Sequence, residues 1–246
     1  MRTAIWAEVL KLRRSRILWI SLLASAMMPT MMGLVQAGVI GTPANEIGGT
    51  QWEQYLIVLG SLISIGGIIG FGFVFSWLFG REYSDRTVKD LLALPMSRAR
   101  VVTAKLFVAA VWCFLLAILA YGVACIFSGL LRFEGMTGQA VATGLSRYMA
   151  TTCMVISLGA PVAWSASVGR GYLSSLGFVV LTMITAQFSG ALGIAAYFPW
   201  AIPSLFSGAA GVENMHLNAV SLSIPFAIGL LGAAATLVWW RYADQK

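Results

Sequence analysis

Residues 80–105, GREYSDRTVKDLLALPMSRARVVTAK, form the one long polar interval inside a chain that otherwise reads as hydrocarbon-soluble. The interval holds six of the sixteen Lys and Arg residues: Arg81, Arg86, Lys89, Arg98, Arg100 and Lys105. Its spacing predicts a short capped helix. Ser84 or Asp85 can accept a hydrogen bond from the first free backbone N–H groups, Val88, Leu91, Leu92 and Pro95 fall on one face, and Arg86, Lys89 and Asp90 fall on the other. Pro95 stops this helix, and Ser97 stands where it can cap a second one that begins basic and runs into the apolar segment starting at Leu106. An apolar stripe exposed to cytosol marks a contact surface. The plainer alternative is a solvated loop of the positive-inside kind.

Composition sets the class around this interval. The chain is 59% hydrophobic and 10% charged, with mean hydropathy +0.84, against about 25% charged residues in soluble domains. That balance predicts an integral membrane protein. The net charge of +7 comes from cations flanking apolar runs, which points to orientation and anionic headgroups, and no nucleic-acid motif accompanies it. Cys113, Cys125 and Cys153 lie in apolar runs without metal-ligand spacing and read as free buried thiols.

Upstream, residues 1–16 place Ile5, Trp6, Val9 and Leu12 on one helical side and Glu8, Lys11, Arg13 and Arg14 on the other, as in a helix lying along a membrane surface. Apolar runs then predict six spans, 17–40, 55–79, 106–131, 141–168, 172–196 and 218–240, the first too long for a signal sequence and so uncleaved. Segment 197–217 is too apolar for an ordinary outer loop and reads as re-entrant or interfacial. In the second span Gly66 and Gly70 form a GxxxG pair, followed by Gly72, Ser76 and Gly80. Small residues at such spacing let helices approach closely, within one subunit or between two copies. Cations divide fourteen to two between alternate sides, with only Arg132 and Arg147 opposite the rest, so both termini and the central loop are expected in the cytoplasm.

Arg147 inside a span is costly; it reads either as an interfacial residue paired with Glu134 or headgroups, or as a substrate contact. Gln36 and Gln187 are either helix-to-helix bonds or pathway lining. No GxxxxGK[ST] loop, HExxH, GxSxG or intramembrane aspartate pair is present, and His216 has no companions for a metal site. The chain is therefore expected to bind no metal and to catalyse no reaction itself.

Gly80, Arg81, Glu82, Thr87, Leu91, Leu92, Pro95, Ser97, Arg98 and Lys105 resemble the cytoplasmic loop of type-2 ABC transporter permeases of the bacitracin-export, sodium-export and lantibiotic-immunity kind. Arg86 stands where many of those permeases have glycine. The resemblance implies that the loop is a coupling helix seated in a groove of a separate ATP-binding subunit, with Glu82, Val88, Leu91 and Leu92 in the contact region. It also implies that ATP and Mg belong to that partner, present in two copies; six spans make a poor enclosed pathway for a bulky molecule, so this chain is expected to pair with a second copy of itself along the glycine-rich face. The expectation is an all-α polytopic protein of the plasma (inner) membrane, with six transmembrane helices, an amphipathic interfacial helix before them, and a coupling helix between spans two and three. Its expected function is the permease part of an ATP-driven exporter. A non-transporting anchor or regulatory subunit for a cytosolic partner is the rival, and an ATP-independent small-solute carrier is disfavoured because no acidic residue lies within the spans.

Overall fold

The computed structural model describes residues 1–41, 49–85, 97–209 and 217–242. Among them every regular element is helical. Helix α1 is Arg2–Arg13 and α2 is Arg16–Gln36. Next come α3, Gln51–Ser61, a π-helical turn at Leu62–Gly66, and α4, Gly67–Ser84. Helices α5 (Arg98–Leu130) and α6 (Gly138–Val168) follow. The chain ends with α7 (Tyr172–Ala191), the short α8 (Ile202–Ser207) and α9 (Ala219–Tyr242). Six of these segments are long and apolar enough to cross a membrane, the continuous run α3–π–α4 counting as one.

Helix α6 is the pillar of the bundle, packing against α9, α4, α5, α7 and α8. Small residues set the closest approach. A Cβ added to Gly229 of α9 would lie 2.7 Å from the Ser157 carbonyl oxygen, and Gly232 meets the ring of Pro161 just as closely. In a membrane such tight backbone packing holds helices together where apolar burial cannot, since lipid is as apolar as leucine. Pro161 itself is tolerated inside α6 because neighbouring helices enclose it.

Among the described residues, the second span is interrupted by a π-helical turn. Thr50 and Glu53 form a capping box that starts α3, and after its 11 residues the helix widens into the π turn. The Ser64 hydroxyl donates to the Gly60 carbonyl at 2.6 Å and the Ser61 hydroxyl to the Ile57 carbonyl at 3.1 Å, back-bonding that bends helices. Beside this turn lies an apolar groove of about 370 Å³ walled by α2, α4 and α5.

Three expectations are revised here. The inward face of α1 is Ala4, Glu8 and Leu12, while Trp6 and Val9 are exposed, because Glu8 finds cationic partners inside. Cys153 is exposed on the outside of the bundle, and only Cys113 is fully buried. The polar interval begins within α4, since Ser84 is still helical and Asp85 caps its C-terminal end. Between α7 and α9 the chain makes a 3-10 turn at Ala195–Tyr197, then α8, whose Ile202 is completely buried against the bundle.

Candidate functional site: an ionic junction at the loop end and a cavity at the opposite end

The second half of α1, the end of α4 and the start of α5 meet at one end of the bundle around four charged side chains. Lys105 Nζ lies 2.9 Å from Glu8 and 2.8 Å from Glu82. Lys11 Nζ lies 2.9 Å from Glu8 and 2.8 Å from Glu82. The four charges alternate and cancel, each lysine touching both carboxylates. Lys105 also donates to the Leu78 carbonyl at 3.0 Å, so all three of its N–H donors are used. Complete hydrogen bonding is what allows an ammonium group to be 1% exposed, given how costly an unpaired buried charge is. Lys11 sits at the rim. Burial lowers its pKa, but the attraction of Glu8 and Glu82 outweighs burial and the net direction is upward, so it remains a cation at neutral pH.

The last turn of α9 closes the same end. Trp240 is fully buried, donates from Nε1 to the Ser167 hydroxyl at 2.9 Å, and meets Phe79 and Tyr83 edge-on. Arg98 donates to its carbonyl at 3.4 Å. The turn at Gly169–Gly171 lies against α4, where a Cβ at Gly80 would come within 3.0 Å of the Gly171 carbonyl carbon. The two helices that flank residues 86–96 are thus bonded to each other, to α1 and to α9.

Of the residues expected to dock a partner, Glu82 is not a surface residue: it is 3% exposed and belongs to the junction. Val88, Leu91 and Leu92 lie outside the described residues. The small-residue face of the second span divides in two, because positions 70 and 72 point about 200° apart on an α-helix. Gly72 packs against Val179, and the Ser76 and Ser175 hydroxyls are hydrogen-bonded at 2.5 Å, so that stripe joins α4 to α7. Gly66 and Gly70 have nothing within 4 Å of an added Cβ and border the apolar groove.

At the other end, Gln36 is buried and donates to the Gln54 side-chain oxygen at 2.5 Å, linking α2 to α3. Gln187 is exposed on α7. Arg147 lines an open cavity of about 630 Å³ between α3, α6 and α8. Among the described residues no carboxylate lies within 4.0 Å of its guanidinium. Glu134, its expected partner, sits on the α5–α6 turn, where its backbone N–H donates to Gln51. Sequence reading missed Glu8, Lys11 and Lys105 as a unit, since only the i, i+3 spacing of Glu8 and Lys11 was available as a signal.

Comparison with known proteins adds the lineage. The chain is 24% identical, over 184 residues covering 74% of its length and 88% of the relative, to the bacitracin transport permease protein BCRB of Bacillus licheniformis. Residues 4–187, from α1 through the junction and most of α7, match the family described as ABC-2 family transporter protein. With the matched region spanning most of the six-helix bundle, the chain belongs to the ABC-2 family of transporters.

Proposed function

We propose that this membrane subunit of an ABC transporter couples ATP hydrolysis on a separate ATP-binding subunit to outward movement of its substrate, through residues 86–96. The observation that supports this reading is the ionic junction. It bonds the helices entering and leaving that segment to each other and to α1, so a force applied by a partner would move α4 and α5 together. Rigid elements with discrete packing carry such displacements, whereas an isolated flexible loop would absorb them. In this reading the junction end faces the cytoplasm, two ATP-binding subunits serve two copies of the chain, and ATP and Mg stay on the partner.

The test is Leu91→Asp in the assembled transporter. A charge placed in a desolvated apolar contact costs a few kcal/mol, roughly a hundred-fold in affinity for about 2.7 kcal/mol. The variant should insert in normal amount, lose its co-purifying ATPase or that ATPase's stimulation by substrate, and stop transporting. A fully coupled ATPase in Leu91→Asp sinks the coupling role of this segment. Absence of any ATPase from wild-type membranes puts the anchoring reading ahead.

A further inference from the structure

We propose that the Arg147 cavity is a binding site for the phosphate group of a membrane amphiphile, with the guanidinium as its anchoring cation. This does not depend on the pairing with an ATPase. Arg147 is the tenth residue of α6, about 14 Å along the helix from its start at the ideal α-helical rise of about 1.5 Å per residue. The cavity walls combine α3, α6 and α8, and α8 is held close because Gly60 leaves room for Ser207, only 2.9 Å from where a Cβ would stand. The pocket is therefore built by the fold rather than left between loosely placed side chains.

Its polar inventory selects the ligand. The hydroxyls of Thr143, Ser146, Thr151 and Ser207 all donate to main-chain carbonyls of their own helices, at 2.8–3.1 Å. They have lone pairs left to accept but no proton to give. Glu53, the one carboxylate on the wall, accepts from the Thr50 N–H in the capping box. Among the described residues, the guanidinium of Arg147 is thus the cationic donor on the cavity wall, with the phenol of Tyr148 beside it as a neutral one. Its planar fork suits two oxygens of one phosphate. Hydroxyl or amine groups next to that phosphate would find the serine and threonine lone pairs, and Leu56, Ile57 and Phe206 supply apolar wall for the start of a chain. An anion flanked by hydrogen-bond donors and carrying an apolar tail is the chemistry of a phospholipid headgroup. A free phosphate ion would use the arginine but none of the apolar wall.

The experiment uses purified, delipidated full-length protein offered phosphatidylglycerol or diacylglycerol in detergent, with retained lipid read by native mass spectrometry. Wild type should hold phosphatidylglycerol and not diacylglycerol. Arg147→Gln should hold about ten-fold less, and Arg147→Lys, which keeps the charge without the fork, an intermediate amount. Arg132→Gln removes the other outlying cation, away from the cavity, and should behave as wild type. Equal retention by Arg147→Gln, or equal loss in Arg132→Gln, overturns the site. Should Arg147→Gln fail to fold, wild-type retention by Arg147→Lys together with equal diacylglycerol binding overturns it as well. Protection by inorganic phosphate with no phosphatidylglycerol retained would overturn the lipid in favour of a soluble phosphate.

Discussion

Lys105 carries the argument at the scale of single residues. Its ammonium is enclosed, and its three donors go to Glu8, Glu82 and the Leu78 carbonyl. Removing one member of a buried ionic group strands the others, at a cost of about 3–5 kcal/mol. Lys105→Met leaves two carboxylates sharing Lys11, and a large fall in the apparent melting temperature of the detergent-solubilised protein is the expected result. Lys105→Met combined with Glu82→Gln restores charge balance and should recover part of the loss, because neighbours in one network are not additive. Strictly additive losses in thermal unfolding would mean the four charges do not act as a unit. The sequence displayed each of these residues but not their meeting. Glu8 and Lys105 are 97 positions apart, and a glutamate among Lys11, Arg13 and Arg14 looks like part of a solvated face until a distant cation claims it.

Elements were more legible than sites, for a physical reason. A helix that crosses a bilayer must satisfy its own backbone and face hydrocarbon along its length, so length and hydropathy alone reveal it. Helix-to-helix pairing leaves a weaker trace, as the second span illustrates. Glycine spacing signalled close approach without saying by which helix: Gly72 packs against α7, while Gly70 faces the open groove. The consequence can be tested by paired substitutions. Gly72→Leu drives a side chain into Val179 and should destabilise the subunit by about 1–3 kcal/mol, as overpacking does. Gly70→Leu projects into the open groove, so it should leave the subunit's melting temperature near wild type. If the Gly66–Gly70 surface meets a second copy, the same change should lower cross-linked dimer yield. A fall in melting temperature for Gly70→Leu as large as for Gly72→Leu would contradict the division of the two stripes.

For the whole molecule, the informative quantity is which end lies on which side of the membrane. The junction, Trp240 and the turn after α6 all gather at one end, so α1, the end of α4, the start of α5 and the close of α9 share a side, as an even number of crossings requires. Place in sequence puts fourteen of the sixteen cations on that side, and by the positive-inside rule the expectation is that this side is cytoplasmic. Arg132 and Arg147 stand toward the other end, the second of them lining the cavity. The prediction is that single cysteines introduced near positions 48 and 92 are labelled from opposite sides of intact cells by a membrane-impermeant maleimide. Position 48 should react without permeabilisation and position 92 only after it. Cys125, part-exposed near the end of α5, is replaced first, whereas Cys153 lies midway along the membrane-spanning α6, out of reach of a water-soluble reagent. Cys113 is fully enclosed and can remain. Labelling of both positions from outside would break the even-crossing topology. Labelling of position 92 alone would invert the molecule, set the junction in the outer compartment and remove any route by which a cytosolic ATPase could reach it.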